Sequence, residues 1–107
     1  MTEWVILKNK KSLLNLLNSI LEEAVIEVKR AQNCNSRWEE SELKNIVIPE
    51  MNELKLHVNR GDVFFKYGKN QRMLESTHLI TDSLKALDST SLGRKIILLQ
   101  DMCDSFL

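Results

Sequence analysis

The chain has 107 residues, of which 43% are hydrophobic and 28% charged, so it has room for one domain with one core. Its 15 lysines and arginines balance 15 aspartates and glutamates, which argues against a strongly basic duplex-binding domain and against a disordered acidic tail. Three glycines and one proline are too few for the turns of a many-stranded sandwich or barrel. Composition therefore predicts a single all-α domain over residues 1–107.

The sequence contains no candidate membrane span, because its longest aliphatic run is only Ile96–Leu99. Glu3 and Trp4 precede the first lysine, which is not the charge order of a secretory signal. Cys34 and Cys103 lie far apart and have no metal-ligand spacing, so reduced thiols fit better than a disulfide framework. We therefore expect a cytoplasmic protein that does not enter the membrane.

The first predicted helix spans residues 11–30, with Ser12 as its N-cap. Its apolar residues recur three and four positions apart at Leu13, Leu17, Ile20, Ala24 and Val28, and Leu14, Leu16, Leu21 and Val25 widen this face. The polar stretch 33–36 ends the pattern. Residues 4–7, before the helix, fit either a short strand or an extra helical turn.

A second helix is predicted to begin at Ser36, because Ser36 and Glu39 have the spacing of a capping box. Its apolar face consists of Leu43, Val47, Met51, Leu54 and Val58. Pro49 lies inside this run and cannot donate to the Asn45 carbonyl, so a kink or a split into two helices is expected there. Glu50 would suit the first turn of a restarted helix.

The second half of the chain predicts two more helices. Residues 62–69 are irregular, and their aromatic residues Phe64, Phe65 and Tyr67 fit either the core or the surface. A third helix over residues 71–87, capped by Asn70, would bury Met73, Thr77, Ile80, Leu84 and Leu87. Hydroxyls in the turn 88–91 can cap a last helix that buries Leu92, Ile96, Leu99, Cys103 and Phe106. Four such helices with short connections predict an antiparallel bundle whose second helix is kinked or split at Pro49.

The motifs that could support chemistry are sparse. Glu75 and His78 match the Glu-x-x-His motif of carboxylate-bridged metal bundles, but a helical wheel turns both of them, with Asp82, away from the apolar face. Cys103 falls on an apolar face, Cys34 has no adjacent base, and the three glycines are isolated. We therefore predict no enzyme, no catalytic residues, no metal and no other cofactor, with a metal-binding bundle as the third hypothesis.

The segment Lys55–Arg72 combines five basic residues and one acidic residue with three aromatic rings. Single-strand binders use such a combination, and the candidate contacts are Arg60, Lys66, Tyr67, Lys69 and Arg72. We favour a loop whose phenylalanines enter the core while its basic stems stay solvated, because two adjacent phenylalanines in a small domain usually seal its core. Acidic residues in the first half would repel phosphates. Binding of single-stranded nucleic acid is therefore the alternative function, not the preferred one.

Apolar residues in excess of the core give the preferred functional hypothesis. Ile97 and Leu98 on the last helix, Ile26 on the first and Leu79 on the third all fall on faces that should be polar. Such residues fit a helix packed on several sides or a surface for a partner. We predict non-catalytic protein–protein binding, either self-association as a homodimer or capture of a partner. Toxin-neutralising immunity proteins are small binders of this kind. A toxin is therefore the partner to test first.

Overall fold

The computed structural model describes residues 2–60, 74–82 and 84–105, and within them the side chains of 10–60, 74–82 and 84–102. The elements are α1 (Thr2–Gln32), α2 (Glu40–Glu42), a π turn (Leu43–Val47), α3 (Ile48–Arg60), α4 (Glu75–Asp82), a 3₁₀ turn (Leu87–Ser89) and α5 (Ser91–Ser105). The described residues contain no strand, which confirms the all-α class. The contacts fit a bundle of four helical segments, and its antiparallel arrangement stays a prediction.

Helix α1 is the central element of the core, because the π turn, α3 and α5 all pack against it. The apolar face predicted for α1 is confirmed. Its five residues are all buried: Leu13, Leu17, Ile20, Ala24 and Val28. The face predicted for the second helix is also buried, from Leu43 to Val58. Val25 was expected to widen the α1 face, but this was wrong because its side chain is half exposed.

The start of α1 differs from the prediction. Residues 4–7 are helical, so they form part of α1 and not a short strand. Ser12 is not an N-cap, because the helix begins ten residues earlier at Thr2 and Ser12 lies inside it as an exposed residue. The turn after Gln32 lies where the polar stretch 33–36 predicted it, with Cys34 in the left-handed conformation at a φ of 59°.

The predicted capping box at Ser36 and Glu39 was wrong by one helical turn. The box joins Glu39 and Glu42, and the Glu39 backbone N–H donates to the Glu42 Oε1 at 2.9 Å. Ser36 instead accepts a hydrogen bond from the Trp38 backbone N–H and donates one to the Glu27 carboxylate. These bonds hold the connection that inserts the buried Trp38 ring into the core.

Pro49 does not split the second helical segment, because residues 40–60 are helical without a gap. Instead the helix type changes just before the proline, where the Ile48 N–H donates to the Leu43 carbonyl across the π turn. A π turn adds one residue to the hydrogen-bonded ring. The π-type hydrogen bond therefore lies directly before Pro49, whose backbone nitrogen carries no hydrogen and cannot donate within the helix.

The third helix is shorter than predicted. Helix α4 ends at Asp82, and the chain bends at Leu84 and Lys85. Thr77, Ile80 and Leu87 are buried as expected, but Leu84 is fully exposed, so its assignment to the core was wrong. The predicted cap Asn70 and the predicted core residue Met73 lie outside the described residues.

The last helix begins as the sequence indicated. The Thr90 hydroxyl accepts a hydrogen bond from the Gly93 backbone N–H at 3.0 Å and so caps α5. Leu92, Ile96 and Leu99 are buried, whereas the side chains of Cys103 and Phe106 lie outside the described set. Within the described ranges, no helix is both long enough and apolar enough to cross a membrane.

Gly93 gives a direct test of this packing. A Cβ atom at this position would overlap the Leu87 carbonyl oxygen, which belongs to the 3₁₀ turn and cannot move as a side chain can. We expect Gly93→Ala to lower the free energy of unfolding by about 2 kcal/mol, because overpacking outweighs the gain of about 1 kcal/mol in helix propensity. Urea denaturation measures the change, with the exposed neighbour substitution Arg94→Ala as control. A more stable Gly93→Ala protein would contradict this packing.

Candidate functional site

A groove of about 610 Å³ lies between the segment around α2 and the segment that contains α4. We call it the acidic groove. Its lining residues are Glu39, Glu42, Ile46, Glu75, His78, Leu79, Asp82, Leu84 and Lys85. One wall thus comes from α2 and the π turn, and the other from α4 and the turn that follows it.

The apolar part of the acidic groove consists of three aliphatic side chains. Ile46 and Leu79 are half-buried, and Leu79 packs against the core. Leu84 is different, because its side chain is fully exposed at the bend after α4. These side chains provide an apolar floor and one projecting leucine that a second molecule can cover.

The rim of the groove is negatively charged. Its four carboxylates belong to Glu39, Glu42, Glu75 and Asp82, and its one ammonium group belongs to Lys85. With His78 neutral, these groups leave a formal charge of −3 in a protein whose formal net charge is zero. The groove therefore has an electrostatic preference for cationic ligands.

Lys85 connects the two walls. Its Nζ lies 3.1 Å from the Glu42 Oε1 and 3.4 Å from the Glu39 Oε1. Desolvation by burial lowers the pKa of Lys85, but its hydrogen bonds to Glu42 and Glu39 and their negative charges outweigh this and raise it above the ordinary value. The lysine is therefore a cation that the two carboxylates already hold.

Helix α4 is held in place by side chains from two other helices. The Glu50 carboxylate on α3 accepts hydrogen bonds from the backbone N–H groups of Glu75 and Ser76, both at 2.8 Å. Gln100 on α5 accepts one from the Leu74 N–H through its Oε1 at 3.0 Å. These acceptors satisfy N–H groups that a helix N-terminus leaves without intrahelical partners.

The turn after α4 is also tied to the connection that precedes α2. Arg37 donates through its Nη1 to the Ser89 hydroxyl at 2.7 Å and to the Ala86 carbonyl. Ala86 has a φ of 54°, which is a left-handed backbone conformation that residues other than glycine rarely adopt. The two Arg37 contacts therefore hold the turn that follows Leu84.

The four residues predicted to bind a partner differ in their burial and in whether they line the acidic groove. Leu79 lines the acidic groove. Ile26 on α1 and Leu98 on α5 are half exposed and lie outside the groove. Ile97 is partly buried and packs against the core, which fits a helix packed on several sides.

The other candidate residues are only partly described. Arg60 is exposed at the end of α3, whereas Lys66, Tyr67, Lys69 and Arg72 lie outside the described residues, as do Phe64 and Phe65. Glu75, His78 and Asp82 are exposed, as the helical wheel predicted. Among the described side chains of residues 10–60, 74–82 and 84–102, no three His, Cys, Asp or Glu groups are placed to hold a metal ion.

Three comparisons with known proteins add no assignment: no family model matches this chain, and no curated protein or solved structure is found to be similar to it.

Removing the carboxylate of Glu50 tests how α4 is positioned. We expect Glu50→Ala to lower the free energy of unfolding by about 2 kcal/mol, because two backbone N–H groups lose a charged acceptor. Hydrogen exchange should accelerate most at the amides of α4. Glu50→Gln, which keeps an acceptor oxygen, should recover part of the loss, and the exposed Asn52→Ala on α3 should change little. Uniform exchange across all helices would contradict a specific role for Glu50.

Proposed function

We propose that this protein binds another protein non-catalytically and that the acidic groove is the binding site. The observation that carries the proposal is the fully exposed Leu84, which lines the acidic groove together with Ile46 and Leu79. Isolated exposed aliphatic residues are ordinary on protein surfaces. An exposed leucine next to an apolar floor is different, because one partner side chain can cover several apolar groups at once.

The anchoring of the wall that consists of α4 and the turn after it supports the same proposal. Glu50 and Gln100 hold α4, while Arg37 holds the turn that presents Leu84. A binding surface built in advance loses less conformational entropy on association than a surface that must first become ordered. The groove contrasts with Ile26 and Leu98, whose side chains are half exposed and are not among the residues that line it.

Affinity capture with groove variants tests this function. Leu84→Ser removes an exposed apolar side chain at no cost to the core, and Leu56→Ser makes the same change at an exposed leucine on α3 outside the groove. We expect the wild type and Leu56→Ser to retain the same proteins from a lysate of the source cells. Leu84→Ser should bind these proteins about tenfold to a hundredfold more weakly, since a buried leucine contributes about 1.5–3 kcal/mol.

Identical retention by Leu84→Ser and Leu56→Ser would contradict the use of the groove. The same experiment tests the narrower hypothesis of toxin neutralisation, since a toxin would then be among the retained proteins. Light scattering on the purified protein measures self-association separately. A dimer that persists in Leu84→Ser but dissociates in Leu98→Asp would show that the binding surface is on α5 and not in the groove.

A further inference from the structure

We infer that the acidic groove accepts a basic amphipathic helix of another protein, whose cationic side chain takes the place of Lys85 between Glu39 and Glu42. The inference rests on the proposed function and adds the chemistry of the partner. Its basis is the combination of an apolar floor with four rim carboxylates, two of which already pair with Lys85.

The charge of the rim selects among possible occupants. A phosphate backbone would meet four carboxylates and one ammonium group, so nucleic acid would be repelled. A second copy docking groove to groove would bring two such negative rims together. A cationic segment is the occupant whose charge complements the rim, and its aliphatic side chains would cover Ile46, Leu79 and Leu84.

The architecture of the groove favours a helix over an extended peptide. Extended peptides gain affinity by adding a strand to a sheet edge, and the described residues contain no strand. Grooves with helical walls instead take an amphipathic helix, whose apolar residues recur three and four positions apart. The apolar floor and the charges on both walls fit such a helix, with leucines facing inward and lysines or arginines on both flanks.

Lys85 shows how the rim holds a cation. Its Nζ lies within 3.4 Å of both carboxylates and so occupies the position that a partner's cation would use. The Lys85 side chain is 37% exposed and that of Glu39 is 66% exposed, so their ion pair faces solvent, where a partner's cation can compete for the carboxylate. Lys85 therefore competes with the partner, and removing its charge should strengthen binding.

Two designed peptides test the inference by fluorescence anisotropy with the full chain. Both have about 14 residues, or roughly four helical turns, with leucines at positions i, i+3 and i+7. One has lysines at the flanking positions and its twin has glutamates. We expect the lysine peptide to bind and the glutamate peptide to bind at least tenfold more weakly. Binding should weaken between about 0.1 M and 1 M salt, as the screening length falls from about 10 Å to 3 Å.

Protein variants then separate the charge from the apolar contact. Glu75→Gln with Asp82→Asn should weaken the lysine peptide about fivefold, whereas Glu22→Gln with Asp101→Asn changes the net charge equally outside the groove and should have little effect. Lys85→Gln should bind the lysine peptide about threefold more tightly. Circular dichroism confirms that each variant is folded.

Equal binding of the two peptides, or no binding of either, would overturn the basic-helix inference. Weaker binding by Lys85→Gln would overturn the exchange of cations. Each of these results leaves the proposed function intact if Leu84→Ser still loses the captured proteins. Conversely, unchanged capture by Leu84→Ser refutes the proposed function independently of the peptide results. Self-association that is lost in Leu84→Ser would overturn the basic-helix inference, because the groove would then bind a second copy of this chain.

Discussion

The hydrogen bonds from the Glu75 and Ser76 N–H groups to the Glu50 carboxylate are the interaction on which the groove depends. Helix α4 has eight residues, and isolated helices shorter than about 12–15 residues are marginal in water. Its stability must therefore come from the rest of the domain. Glu50 supplies the polar part of that support, and the burial of Leu74, Thr77 and Ile80 supplies the apolar part.

The same constraint joins the middle of the second helical segment to the site. The π turn places Leu43 and Val47 in the core while Ile46 lines the groove, and the helix then continues through Pro49 to the residue that caps α4. One continuous segment thus forms one wall of the groove and anchors the other. The capping box at Glu39 and Glu42 begins this segment and also provides the carboxylates that hold Lys85.

Features governed by local periodicity could be predicted from the sequence, and features governed by tertiary contacts could not. The buried faces from Leu13 to Val28 and from Leu43 to Val58 follow directly from helical spacing. Trp38 in the core and the exposure of Leu84 were missed, because each depends on how a connection folds against a distant helix. The sequence predicts for Glu50 only a place in the first turn of its own helix, because its partners lie 25 and 26 residues away.

The groove itself had no signal in the sequence beyond the misplaced Leu79, because its walls come from residues 39–46 and 75–85. Mapping the bound surface by nuclear magnetic resonance tests its role most directly. Titration with the lysine peptide should shift the methyl signals of Ile46, Leu79 and Leu84 and leave those of Ile26 and Leu98 unchanged. Shifts at Ile26 and Leu98 with an unchanged groove would contradict the account.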